Sequence, residues 1–291
     1  MKKPNFYLGI DGGGTKTKAR LEDADGKLLG EGIAGASNLV RGATQAIDAF
    51  LSASQLAFED ANIDPALFSD TAACIGVAGA TVEPHASDVK QWQHPFKQLK
   101  ITTDLHIALA GAHNGSDGAV IITGTGFCAG IQHLGHYEEI GGHGLLLGDG
   151  GSGAKLGLTA IRLTLEALDG VIAHTPLTQH ILQSFNCEDA KTLVTLSISK
   201  HPSFFASLAP IVFEYADKGD AIAMQVVTEI ATFTGRYIHR LMDIKKVRLS
   251  IIGGISNALM PYLAKDARAL CSPSLSEPDL GAVLQARSMV K

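Results

Sequence analysis

Phe6-Tyr7-Leu8-Gly9-Ile10-Asp11-Gly12-Gly13-Gly14-Thr15-Lys16-Thr17 is the stretch on which the reading of this chain turns. An apolar run ends on a carboxylate, three glycines and a hydroxyl follow, and a second alternating run covers 18–22. That order predicts strand, glycine turn, strand. Consecutive glycines let backbone N–H groups approach an anion, and such amide nests hold phosphate. The Thr15 hydroxyl adds a donor, and the Asp11 carboxylate suits a hydrated Mg²⁺ facing the same phosphates. A glycine hairpin without a ligand carries the same local signals.

The pattern recurs. Residues 118–123 are apolar, Gly124-Thr125-Gly126 follows, and 128–132 form another run. Two hairpins of one design predict two duplicated halves around one nucleotide. No G-x-x-x-x-G-K-[ST] string exists, which excludes a P-loop. Gly124-x-Gly126-x-x-Ala129 matches the dinucleotide fingerprint in letters, but that fingerprint opens a helix and this one leads into a strand.

A chain of 291 residues, 46% hydrophobic and 18% charged, has enough apolar surface for two globular domains. The net charge of −5, with no long basic cluster, speaks against a nucleic-acid partner. Cys74, Cys128, Cys187 and Cys271 are scattered without a C-x-x-C, so zinc and redox motifs find no support. No apolar run nears the ~18 residues of a membrane span, and the first strand begins too early for a signal peptide. The expectation is a cytoplasmic protein without membrane contact.

Strands are expected over 6–10, 17–22, 28–33, 72–77 and 99–103, with helices over 42–61 and 84–92 and helical character over 108–112. Ala46, Ala49, Phe50, Ala53 and Leu56 form the core stripe of the first helix. The order then repeats: strands over 119–123, 127–132 and 137–140, and a helix from Ser152 as N-cap to Leu168, stopped by Asp169-Gly170. Mostly helical sequence fills 175–245. A strand over 248–252 meets Gly253-Gly254, and 280–288 is the last helix. The pattern is α/β, with domains at 1–112 and 113–291 and the last helix packing back on the first domain.

Asp104 ends a buried strand, at the mouth where open α/β sheets bind ligands. It serves either as N-cap of 105–112 or as the base that takes a hydroxyl proton in phosphoryl transfer, and its place between the two glycine loops favours the base. Asn38 and Asp149 each read as a helix cap or as a ligand, Asp149 accepting from two vicinal hydroxyls. His106, His113, His133 and His136 lack metal spacing and read as surface or turn residues. Lys16 reads as solvated.

Asp11-Gly12-Gly13-Gly14-Thr15, the strand ending Thr102-Thr103-Asp104, the Gly124-Thr125-Gly126 hairpin and the late Gly253-Gly254 together resemble the acetate and sugar kinase/Hsp70/actin superfamily. Gly141-Gly142-His143-Gly144 followed by Gly148-Asp149-Gly150-Gly151-Ser152-Gly153 narrows this. It resembles the G-G-W-G…G-D-E-G-S of the N-acetylglucosamine and glucosamine kinase branch of the BadF/BadG/BcrA/BcrD ATPase family. The resemblance covers essentially the whole chain.

It implies two duplicated ribonuclease H-like (actin-like ATPase) domains around a nucleotide cleft, in a homodimer. It also implies ATP, Mg²⁺ and an amino sugar phosphorylated on its 6-hydroxyl. Asp11, Gly13, Gly14 and Thr15 would form the first phosphate loop, with Mg²⁺ on Asp11 through water. Gly124, Thr125 and Gly126 would form the second. Asp104 would be the base; Asn38, Asp104, Gly142, His143, Gly144 and Asp149 would line the sugar; Ala216, Gly253, Gly254 and Asn257 would flank adenosine.

His143 replaces the usual Trp, Gly150 the usual Glu, and Phe127 a commonly small polar residue. With no carboxylate in 141–144 or at 150 to pair an ammonium, N-acetylglucosamine is favoured over glucosamine. The alternative of another class is an ATPase that activates a radical dehydratase or reductase. That role needs a cysteine before a Gly-Thr-Gly loop, whereas Cys128 follows it.

Overall fold

Strand β1 (Phe6–Gly12) is the spine of the first sheet. The structure, a computed structural model, describes residues 3–39, 42–80, 83 and 85–290. β1 pairs antiparallel with β2 (Thr17–Asp23), which pairs antiparallel with β3 (Leu28–Ala34). On its other side β1 runs parallel to β4 (Thr71–Val77), and β4 to β5 (Gln98–Thr103), giving the order β3-β2-β1-β4-β5. The register Gly12↔Thr17 leaves Gly13 to Lys16 as the turn.

Both faces of β1 are covered, and the strand alternation sorts the residues. Leu8 and Ile10 pack in one core with Phe50, Ala53 and Ala57 of α1 (Ala43–Asp60). Tyr7 faces the other way, with Cys74, Ile107 of α3 (Asp104–Ala112) and Val283 of α13 (Pro278–Ser288). Gly9 is what lets α13 lie this close, because a Cβ there would stand 2.2 Å from the Asp279 carbonyl oxygen.

Leu56 departs from its expected place in the α1 stripe. It is 42% exposed, and the buried face is completed by Ala57 and Phe58. Helix α2 runs His85–Lys90; the start expected at Pro84 lies outside the described residues.

A second sheet orders β8 (His136–Gly141), β7 (Phe127–His133), β6 (Gly118–Thr123) and β9 (Leu249–Ile252). The short α4 (Gly144–Leu147) follows β8, and then α5 (Gly153–Leu168). Ser152 caps α5, its Oγ accepting from Lys155 N at 3.0 Å. Around α5 pack α6 (Pro176–Ser184), α7 (Ala190–Ser197), α8 (Pro202–Ala206), α9 (Ala209–Asp217) and α10 (Ala221–Ile244). The chain continues through α11 (Ser256–Leu259) and α12 (Lys265–Ala269).

Two compact units result: Met1–Val120 with Ile131–Tyr137 and Pro273–Lys291, and Ile121–Gly130 with Glu138–Ser272. No described helix is long and apolar enough to cross a membrane.

Candidate active site

In the first unit the Gly13 turn is closed by Gly13 N donating to Lys16 O at 3.0 Å. It is anchored from outside by Ser37 N donating to Gly13 O (3.1 Å) and Ala78 N to Gly12 O (3.0 Å). Thr17 Oγ1 donates to Gly35 O at 2.7 Å and bonds Ser37 Oγ at 2.8 Å. This bracing sets Asn38 beside the loop, its Oδ1 3.2 Å from where a Cβ on Gly79 would be. Asn38 is not a helix cap: α1 is preceded by Gly42, with no side-chain cap bond. Thr15 and Lys16 are exposed and Asp11 is half-buried.

Thr103, not Asp104, caps α3. Thr103 keeps extended geometry at the strand–helix joint, and its Oγ1 accepts from His106 N at 3.1 Å. Asp104 is therefore the first helical residue, its Oδ1 accepting from Leu105 N at 2.9 Å. Asp11 and Asp104 are brought close enough to repel. Burial pushes the Asp11 carboxyl up to about 7, aided by the charges of Asp104, Asp279 and Glu277 and opposed by Lys16. Asp279 is itself matched by Lys18 at 3.0 Å, and Lys18 also meets Glu31 at 2.9 Å.

Asp11 and Asp104 present hard oxygen donors of the kind that fit Mg²⁺. Among the described residues no group of three or more His, Cys, Asp or Glu forms a metal cluster, so a cation at Asp11 would take its other ligands from phosphate and water.

In the second unit, Gly124 N donates to Gly126 O at 3.0 Å. Gly124 O accepts from Gly153 N (2.8 Å) and Thr125 O from Ala154 N (3.3 Å), so the first amides of α5 hold this loop. A Cβ on Gly124 would meet no protein atom within 4 Å. Gly253, at φ +108°, is pressed against the end of β6: a Cβ there would lie 2.5 Å from Thr123 O. Thr123 O also accepts from Ile255 N at 3.1 Å. The structure thus brings Gly253-Gly254 to the Gly124 loop. Asn257 is exposed on α11. Ala216 is 3% exposed inside α9, while its neighbour Asp217 accepts from the Tyr262 hydroxyl at 2.6 Å.

Gly141, Gly142 and Gly144 have φ of +82°, +73° and +77°, which only glycine adopts repeatedly without strain. Gly142 N donates to Phe127 O at 3.0 Å. Asp149, at φ +54°, is buried, and a Cβ on Gly126 would lie 3.1 Å from its Oδ2. It does not cap α5, since Ser152 does so with its own side chain; the Asp149 backbone oxygen accepts from Ser152 N at 2.9 Å. Burial raises its carboxyl above the usual range, opposed by the Phe127 and Gly144 amides and by His143. Its Oδ1 is buried without a protein partner, a costly state unless a ligand donates to it.

Two histidine readings need correction. His113 is buried, its Nε2 2.9 Å from Ala119 O, in space left by Gly118. His106 is half-buried and stacks on Tyr137 at 4.8 Å. A ring satisfied by one backbone bond leaves no periodic trace in a sequence. Also unforeseen were Asp279 with Lys18, and Phe233 behind Gly150; their partners are too distant in sequence to show a spacing signal.

Residues 8–286 match the BadF/BadG/BcrA/BcrD ATPase family. The chain belongs to this family. Membership in the BadF/BadG/BcrA/BcrD ATPases carries the use of ATP. The glucosamine kinase GspK of Vibrio cholerae is 31% identical over 260 residues, 89% of this chain and 88% of the relative. An N-acetylmuramic acid/N-acetylglucosamine kinase of Clostridium acetobutylicum is 29% identical over 87% of this chain and 86% of its own.

A solved Chromobacterium violaceum structure, a candidate N-acetylglucosamine kinase, superposes with a TM-score of 0.91 at 31% identity, covering 97% of this chain and 99% of that one. A ROK family glucokinase from Streptomyces griseus shares the fold at 17% identity and a TM-score of 0.59, over 97% and 98%. These likenesses agree with an α/β fold of the duplicated, actin-like ATPase type.

Proposed function

We propose that this chain is an ATP- and Mg²⁺-dependent kinase that phosphorylates the 6-hydroxyl of an amino sugar, N-acetyl-D-glucosamine ahead of D-glucosamine. The observation that carries the reading is Asp104: Thr103 relieves it of capping α3, and it stands at the strand mouth next to Asp11 of the glycine loop. Asp104 takes the proton from the hydroxyl as it attacks. Backbone amides of Gly13, Gly14 and Thr15, and of Gly124, Thr125 and Gly126, hold phosphate oxygens. Asp11 would hold Mg²⁺ through water, and the ion would supply positive charge toward the phosphoryl group.

Asn38, Gly142, His143, Gly144 and Asp149 bind the sugar. The orphaned Asp149 Oδ1 supports this, because two vicinal hydroxyls would satisfy it. Gly253, Gly254 and Asn257 flank adenosine, with the α9 end at Ala216 contributing backbone rather than its buried methyl. The duplicated domains are read as 1–112 and 113–291, in a cytoplasmic homodimer.

The absence of a carboxylate from 141–144 and from 150 favours the acetamide over the ammonium. The Vibrio cholerae relative, named a glucosamine kinase, makes free glucosamine the second substrate to assay. A coupled ADP-release assay across N-acetylglucosamine, glucosamine, N-acetylmannosamine and glucose tests both points. The expected result is the highest kcat/KM with N-acetylglucosamine. A tenfold preference for glucosamine would reverse the substrate, and no sugar-dependent ADP release would overturn the function.

A further inference from the structure

The segment Asp149–Gly151 lies against aromatic rings. Phe127 meets Phe233 edge-on at 5.2 Å and Tyr237 at 4.8 Å, while Phe233 and Tyr237 stack at 4.9 Å. A Cβ on Gly150 would lie 2.4, 2.5 and 2.9 Å from three Phe233 ring carbons, and one on Gly151 would lie 2.3 and 2.4 Å from the Phe127 ring. Real Cβ atoms do not approach carbon so closely, so neither glycine can be replaced while the rings stay. The Arg236 guanidinium lies over the Phe233 ring at 5.1 Å and limits where that ring can go.

Asp149 immediately precedes this packed pair. It holds a left-handed backbone and points an unpartnered carboxylate oxygen into a buried place. The Phe127 and Gly144 amides bond its carboxylate, and the glycine–ring packing after it holds the backbone from which that carboxylate projects.

We propose that Phe233 is a positioning residue for the sugar site: it fills the volume that a side chain at residue 150 would need, and so fixes Asp149. This rests on the reading of Asp149 as a sugar ligand. It also gives a physical reason for Gly150: Phe233 and a larger residue at 150 exclude one another. Size at one position is then exchangeable against size at the other.

The test is a double-mutant cycle on the full chain, reading sugar KM, nucleotide KM and kcat. Gly150→Ala pushes residue 150 off Phe233 and is expected to raise sugar KM by about tenfold or more with nucleotide KM unchanged. Phe233→Ala leaves the loop loose and also raises sugar KM, and Phe233→Tyr restores it. The combined Gly150→Ala/Phe233→Ala variant is expected to recover most of the loss of Gly150→Ala, which a merely destabilising pair would not do. A Gly150→Ala enzyme with wild-type sugar KM, or a double variant no better than Gly150→Ala, overturns the proposal.

The ¹³Cγ titration of Asp149, assigned by its loss in Asp149→Asn, repeats the cycle without any sugar. Displacement by Gly150→Ala and return in the double variant is expected, and an Asp149 signal that titrates alike in every variant contradicts positioning. A wild-type protein that phosphorylates no amino sugar while this titration cycle holds would refute the function and leave the Phe233–Asp149 coupling standing.

Discussion

At the residue scale two carboxylates divide the work. Asp104→Asn keeps the shape of the side chain and removes its ability to accept a proton. It is expected to lower kcat by roughly 10²–10⁴ with ATP binding nearly intact, the usual span for loss of a general base. Steady-state kinetics with calorimetry on ATP checks this, and a mutant retaining a third or more of wild-type turnover removes Asp104 from the base role. Asp149 makes a pH-dependent prediction. Burial raises its carboxyl in the fold, so the ionised form is better accommodated in the unfolded chain. The charge therefore subtracts stability above the folded-state pKa and nothing below the unfolded value near 3.9. Asp149→Asn, which tolerates the positive φ, should melt higher than wild type at pH 8, converge with it below about pH 4, and lose sugar affinity. A mutant less stable than wild type at pH 8 contradicts a carboxylate for which burial outweighs its amide bonds.

Between single residues and whole domains, the glycine turns separate into two kinds. Gly253 is required by packing, its Cβ position 2.5 Å from Thr123 O at a φ of +108°. Gly124 has open space within 4 Å and no left-handed backbone, so its smallness serves something other than the protein's own packing. Gly124→Ala is expected to keep its stability within ~0.5 kcal/mol while binding ATP at least tenfold more weakly. Gly253→Ala is expected to lose clearly more stability than that, from strain at positive φ and a backbone collision. Thermal melts and ATP titration on both variants decide it; a Gly124→Ala protein with wild-type ATP affinity would make the second loop an ordinary hairpin turn. Both loops were legible in the sequence because their glycines interrupt strands with period-two patterning. Which glycine packs and which faces a ligand was not, since that depends on Thr123 O meeting Gly253 across some 130 residues of chain.

On the scale of the whole molecule, the strand–helix order was readable from apolar runs and turn residues. β1 to β5 and β6 to β9 lie where those runs predicted, with ends differing by at most two residues. What escaped reading were the side chains whose environment comes from distant elements: Leu56 facing solvent, His113 sealed beside Gly118, Lys18 neutralising Asp279, Phe233 beneath Gly150. Propensity and spacing see only neighbours along the chain, whereas burial and charge are settled by packing between elements. Within the site, residue types suggested the chemistry of Asp11, Asp104 and Asp149, and Ser152 was already legible as the α5 cap, but the cap readings of Asn38 and Asp104 were removed only by seeing Gly42 and Thr103 precede their helices. One measurement bears most directly on the proposed activity. Purified protein with ATP, Mg²⁺ and N-acetylglucosamine should yield a sugar phosphate whose ³¹P–¹H coupling places the phosphoryl group on the 6-oxygen, one per ADP released. ADP formed at the same rate without sugar, or a phosphate on another hydroxyl, would contradict it.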